Sequence, residues 1–150
     1  MISEPIIIRV PAVPVAQPRM RATVRSGHAA VYTPNTIKSS DGSRKPHPIH
    51  LFKATVRLAA AAAFTGEPIA GAVRVDVEAV FPRPASKIWK TKPMPRYPHI
   101  TKPDRDNLDK AVLDALKGIV LRDDCIAWDG RITKEVAAGG EQPGVVITIH

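Results

Sequence analysis

The chain has 150 residues, 44% of them hydrophobic, enough for one globular domain that buries most of its foldable surface. Lys and Arg number 22 against 14 Asp and Glu, and a net charge of +8 favours a polyanionic partner, nucleic acid before a membrane surface. A single cysteine, Cys125, excludes an intramolecular disulfide, and no apolar run reaches transmembrane length. The N-terminus carries no basic segment ahead of an apolar one, so a cytoplasmic location is expected.

In chain order, Ile6 to Val10 is a short run rich in β-branched residues and reads as a strand ended by Pro11 and Pro14. From Gln17 to Lys45 the only acid is Asp41, set against Arg19, Arg21, Arg25, Lys38, Arg44 and Lys45. Ala30 to Tyr32 suggests a short strand, and Arg19 and Arg21 share one side if that stretch is extended. The segment reads as a phosphate-binding arm; in isolation it would be an ordinary solvated basic loop.

A helix is expected from about Pro48 to Phe64, with Ile49, Phe52, Val56, Ala59, Ala60 and Ala63 on one face and Gly66 closing it. Lys53 and Arg57 then lie on a solvated or DNA-facing edge. Val73, Val75, Val77, Ala79 and Phe81 alternate with Arg74, Asp76 and Glu78, which predicts a half-buried strand. Arg83 to His99 is proline-rich and carries Arg83, Lys87, Lys90, Lys92 and Arg96 with no acid, suiting an irregular mobile clamp over a phosphodiester. Its Trp89 suits either stacking on an unpaired base or anchoring the loop to the body.

The acids concentrate in Lys102 to Asp124, KPDRDNLDKAVLDALKGIVLRDD. Pro103 biases Lys102 toward extended backbone, and period two would then place Asp104 and Asp106 on one side. Asp106 reads as an N-cap with Asp109 completing an acidic capping box. Leu108, Val112, Ala115, Leu116 and Ile119 form the apolar stripe of a helix that Gly118 stops, with Asp123 and Asp124 following. Converging carboxylates need a cation between them, and all-oxygen ligands suit Mg²⁺ or Mn²⁺. The structural alternative is that Asp106 and Asp109 only cap and that Lys110 and Asp114 only form an i,i+4 pair.

Ile126 to Ala137 and Val145 to Ile149 read as two antiparallel strands joined through Gly139-Gly140. Asp129-Gly130 offers a competing hairpin turn that would fold Lys134 back beside Cys125. The five histidines are scattered without ligand-like spacing.

KPDRDNLDKAVLDAL followed by Asp123-Asp124 resembles the signature of the RusA family of Holliday-junction endodeoxyribonucleases: K-P-D-x-D-N-x-x-K, then D-A-L, then an acidic pair before a strand. Upstream, PVAQPRMRATVRSGHAAVYTP is similar to that family's N-terminal Pro-and-Arg segment. Between Ile49 and His99 only the order of elements supports the resemblance, and Cys125-Ile126 replaces the more usual Ala-Gln after the acidic pair.

The resemblance implies one RusA-like α+β domain over residues 1–150, a small mixed sheet with two main helices packed on it, and it favours one longer strand after Ile126, with a bulge or bend at Gly130, over a hairpin there. Residues 17–47 and 83–99 would be flexible DNA-contacting segments. It implies Asp104, Asp106 and Asp124 as ligands of Mg²⁺, with Mn²⁺ as a substitute, and Lys110 as the catalytic lysine, supported by Asn107 and Asp123. Arg19, Arg21, Arg25, Lys87, Lys90, Lys92 and Lys102 would contact DNA. The expected activity is metal-dependent resolution of four-way junctions by a homodimer. Its rivals are a non-catalytic basic DNA-binding protein and a related metal nuclease acting on other branched or single-stranded DNA.

Overall fold

The computed structural model describes residues 2–150. Its main sheet runs in the order β1 (Ile6–Val10), β10 (Gly144–Ile149), β6 (Val73–Phe81), β9 (Ile132–Val136), β7 (Tyr97–Pro98), with β8 (Ala127–Asp129) also paired to β6. The sheet is mixed: β1/β10, β10/β6 and β7/β9 are antiparallel, while β8 and β9 run parallel to β6. The alternation in β6 turns Val73, Val75, Val77 and Ala79 to the core and leaves Arg74, Asp76 and Glu78 on the open face.

The last two predicted strands do run in opposite directions, but they are not neighbours. The nine residues of β6 lie between them, taking β10 along one edge and the bent β8–β9 strand along the other. That insertion brings together segments distant in sequence, which no local pattern encodes. The bend falls at Gly130 as expected, and no hairpin folds Lys134 back toward Cys125. A Cβ on Gly130 would stand 2.0 Å from the Val75 carbonyl oxygen, so only glycine lets the two backbones approach this closely.

Helices α1 (Ile49–Ala63) and α2 (Arg105–Leu116) pack against each other and cover one face of the sheet. α1 buries Ile49, Phe52, Val56 and Ala60; α2 buries Leu108, Ala111, Val112, Ala115 and Leu116. Each large apolar side chain so buried stabilises the fold by about 1.5–3 kcal/mol. Packing is what holds α2, since at 12 residues it would be marginal alone.

Pro48 occupies the N-cap of α1, where His47 Nδ1 accepts from the Ile49 amide at 3.1 Å. The helix leaves through extended backbone at Phe64, two residues ahead of the expected Gly66. Gly118, with φ of 79°, ends α2 as its sequence suggests. Lys53 and Arg57 are not a free DNA-facing edge. Lys53 Nζ pairs with Asp114 at 3.3 Å, and Arg57 donates to the Ala115 and Lys117 carbonyls at 3.3 and 3.5 Å, tying α1 to the end of α2.

The basic arm is built of two hairpins instead of one short strand. β2 (Arg21–Arg25) and β3 (His28–Tyr32) turn at Ser26-Gly27, both at positive φ as in a type I′ turn. β4 (Thr36–Lys38) and β5 (Arg44–Pro46) enclose Gly42, and Asp41 Oδ1 accepts from the Ser43 amide and hydroxyl at 2.9 and 2.6 Å. Every strand residue of both hairpins is exposed. No helix among the described residues is long and apolar enough to cross a membrane.

Candidate active site

The acidic motif enters α2 one step differently from its sequence reading. Asp104, not Asp106, is the N-cap, with extended backbone at φ −70° and ψ 146°. Asp106 already lies in the first helical turn, so the period-two placement of the two side chains stops at Asp104. The Asp104 carboxylate makes no capping bond. It instead accepts from Lys102 Nζ at 2.8 and 2.9 Å and from Arg19 Nη2 at 2.7 Å. Lys102 first and Arg19 second hold its carboxyl below the usual carboxylate range. Asp109 forms no capping box either. It faces Val75, Leu113 and Trp128 beside the bent strand, and burial raises its pKa.

Two elements distant in sequence fix this entrance. The Gln17 amide donates to the Asn107 carbonyl at 2.9 Å, pinning the root of the arm across the first turn of α2. Lys134 Nζ donates to the Thr101 and Pro103 carbonyls at 2.7 and 2.6 Å, so β9 supports the residues just ahead of Asp104. His99 stacks on Phe81 at 4.1 Å between ring centroids, and its amide donates to the Lys134 carbonyl at 3.0 Å. Lys134 escaped sequence reasoning, yet a signal existed: Ile132, Lys134 and Val136 share parity along one strand, which sends the lysine to the helix-covered side.

Asp106 is exposed near the partial positive charge of the α2 N-terminus. Lys110 follows it by four residues, one turn along the same helix, and is also exposed. Its expected structural partner, Asp114, is taken by Lys53. Lys110 is thus left without an ion pair among the described residues.

After α2 the chain returns through a 3₁₀ turn, Asp124–Ile126, packed against the helix. Asp123 caps that turn, its Oδ1 accepting from the Asp124 amide at 2.8 Å. Lys117 Nζ sits 2.8 Å from Asp123 and lowers its pKa to about 2. Asp123 therefore has a structural partner, whereas the side chain of Asp124 has no ion pair among the described residues.

The chemistry of Asp104, Asp106 and Asp124, three oxygen-donor carboxylates, suits a hard divalent cation. Asp104 already draws two cationic side chains. Among the described residues, however, no three His, Cys, Asp or Glu side chains are grouped closely enough to hold a metal ion. The donors are of the right kind but are not gathered in this conformation. Asp76 and Glu78 stand on the open face of the sheet and are engaged elsewhere: Asp76 with Arg74, the Arg131 amide and His150, Glu78 with Arg96.

Comparison with known proteins decides the family. The model of the family described as endodeoxyribonuclease RusA matches residues 11–150. The chain belongs to the RusA family. It is also 30% identical over 142 residues to the Bacillus subtilis protein YqaN, described as uncharacterized, across 91% of this chain and 89% of that one.

Within this RusA chain the expected DNA-contacting residues fall on the arm, on the proline-rich loop and, for Lys102, at the entrance to α2. Arg19, Arg21 and Arg25 belong to the exposed arm, and Arg19 reaches Asp104 directly. Lys87, Lys90 and Lys92 are exposed on the proline-rich loop. That loop is fastened to the sheet rather than free. Arg83 donates to the carbonyls of Lys87, Pro95 and Ala137 at 2.7, 2.8 and 3.2 Å. Arg96 binds Glu78, Glu135 and Glu141 at 2.6, 3.0 and 2.6 Å. Arg83 and Lys92 of the same loop lie over the Trp89 ring at 5.3 and 5.7 Å, and the ring itself stays exposed.

Proposed function

We propose that this RusA-family chain is a metal-dependent endodeoxyribonuclease that resolves Holliday junctions and related branched DNA by paired phosphodiester hydrolysis in the cytoplasm. Beyond family membership, one observation carries the reading. At the start of α2 a lysine without a structural partner, Lys110, follows an uncapped acidic motif whose first carboxylate already collects cations.

Asp104, Asp106 and Asp124 are the residues that would hold Mg²⁺, or Mn²⁺ in its place. A cation bound there supplies charge neutralisation at the scissile phosphate and lowers the pKa of a bound water. The protein's own contribution begins with position. Asp123 holds the turn that carries Asp124, Lys134 holds the backbone ahead of Asp104, and the Asn107 carbonyl receives the arm. The free amides at the α2 N-terminus favour an anionic phosphate. The Lys110 ammonium, carrying three donors, stabilises charge developing on the phosphoryl or leaving oxygen. Arg19, Arg21, Arg25, Lys87, Lys90, Lys92 and Lys102 bind neighbouring backbone phosphates.

Lys110→Ala is expected to lower the single-turnover rate on a four-way junction by about a hundredfold while changing binding far less, because transition-state contacts act on kcat. Neutralising Lys87, Lys90 and Lys92 should do the reverse, weakening binding and reducing its salt dependence by about one ion for each phosphate no longer neutralised. A purely binding defect in Lys110→Ala would assign that lysine to the DNA footprint.

The working unit is a homodimer. One acidic constellation per chain supplies one cut, whereas resolving a junction requires two cuts on opposed strands, and a C₂ pair matches a two-fold substrate. β10 is paired on both sides and is closed to a partner, whereas β1 is paired only to β10 and leaves an edge open to one. Sedimentation equilibrium should give about twice 16.2 kDa. A stable monomer that makes both cuts at full rate would overturn the dimer.

A further inference from the structure

The arm hairpins and their stem enclose a cavity of about 530 Å³ whose walls include Arg19, Arg21, Lys38, Arg44, His47 and Thr36, with no carboxylate among its lining residues. Four permanent cations, set among the apolar Pro18, Pro34 and Ile37, border this open hollow and favour an anion, and the anion that a basic DNA-facing arm meets is the backbone phosphodiester. One wall is shared with the acidic motif: Arg19 Nη2 lies on Asp104 Oδ2 at 2.7 Å. Lys102 Nζ covers both oxygens of the same carboxylate at 2.8 and 2.9 Å. In this conformation protein cations therefore occupy both oxygens of Asp104.

The geometry points to a phosphate site in the arm that governs access to Asp104 through Arg19, an inference that rests on Asp104 being a metal ligand. The Arg19–Asp104 pair is exposed on the arginine side, with 74% of that side chain in solvent, so it is weak and exchangeable. A phosphodiester in the cavity meets Arg21, Lys38 and Arg44 and competes for the Arg19 guanidinium. Drawing Arg19 into the cavity removes one of the two cations on Asp104 Oδ2 and leaves Lys102 alone on the carboxylate, so the carboxylate competes better for a metal cation when DNA is on the arm. Arg19 acts here as a positioning residue, coupling substrate engagement to cation binding. Before DNA arrives, the same ion pair competes with a metal cation for the ligand.

The test is Mn²⁺ binding followed by electron paramagnetic resonance, with and without a phosphorothioate-protected four-way junction that resists cleavage. Without DNA, Arg19→Gln is expected to bind Mn²⁺ roughly two- to fivefold more tightly than wild type, the range of one exposed ion pair. Arg131→Gln, which removes an equal charge from the open face of the sheet, should match wild type. With DNA, the wild-type affinity rises. In Arg19→Gln the rise is smaller because the ion pair is already absent, and in the double variant Lys38→Gln/Arg44→Gln it is smaller because the cavity no longer captures phosphate. Equal Mn²⁺ affinity of Arg19→Gln and wild type without DNA would overturn the coupling while leaving the metal site standing. A full DNA-linked rise in the Lys38→Gln/Arg44→Gln protein would overturn the cavity as the phosphate site. Absence of Mn²⁺ binding in every protein, with and without DNA, would remove the metal-site reading itself and this inference with it.

Discussion

Asparagine at position 104, 106 or 124 is expected to reduce Mg²⁺-dependent junction cleavage by on the order of a hundredfold or more, while junction binding stays intact or tightens. The two effects have one cause. Each substitution removes a negative oxygen donor that a hard cation requires, and it also removes repulsion toward the incoming phosphate. For Asp104 the binding side should be clearest, because loss of its charge releases Arg19 and Lys102 to DNA. Asp76→Asn serves as the comparison. Asp76 is half-buried on the open sheet face with partners of its own, so its replacement should leave cleavage unchanged below the unfolding temperature. Wild-type cleavage by the three motif variants would remove the assignment of these carboxylates.

The largest effect on stability is expected at Gly130. An added Cβ would sit 2.0 Å from the Val75 carbonyl oxygen and 3.0 Å from its carbon, both backbone atoms that no side-chain rotation can move. Relief requires β8 or β9 to leave β6, which breaks pairing at Val73–Ala127 or Val77–Ile132. Gly130→Ala should therefore destabilise by about 3 kcal/mol or more, the upper end of overpacking costs. In a chain of this size that lowers Tm by roughly 6–12 °C. Because β9 carries Lys134, which supports the entrance to α2, the variant should lose activity in step with structure. Thermal unfolding by circular dichroism checks this; a Tm unchanged within about 1 °C would contradict the close approach at that position.

Where an element buries one face, its residues announced it. Ile6–Val10, Ile49–Ala63 and Val73–Phe81 lie where their apolar periods place them, because the core selects side chains at those spacings. The arm hairpins bury nothing and so left no such period. Their readable traces were the turn dipeptides Ser26-Gly27 and Asp41-Gly42. The start of α2 moved because two aspartates stand two residues apart, each able to be the N-cap, and only the fold chooses between them. Strand order was equally hidden: β6 separates β9 from β10 through pairings of wide sequence separation.

At the site, the motif named the carboxylates and Lys110, but charge patterning along one helix suggested Asp114 as the lysine's partner. Asp114 instead meets Lys53 from α1, a pairing that only packing of the two helices creates. The same holds for Arg19 and Asp104, 85 residues apart in the chain. Composition marked the arm as basic; it did not indicate that one of its arginines rests on the acidic motif.

The most direct measurement is cleavage of a labelled four-way junction, beside a fork and a linear duplex of the same sequence, in Mg²⁺ and in chelator. The expected result is paired cuts that yield two nicked duplexes from the four-way junction in Mg²⁺, little or no cutting of the linear duplex, and no cutting in chelator. Junction binding without cleavage under all conditions, or equal cleavage with Mg²⁺ and with chelator, would contradict a metal-dependent junction resolvase.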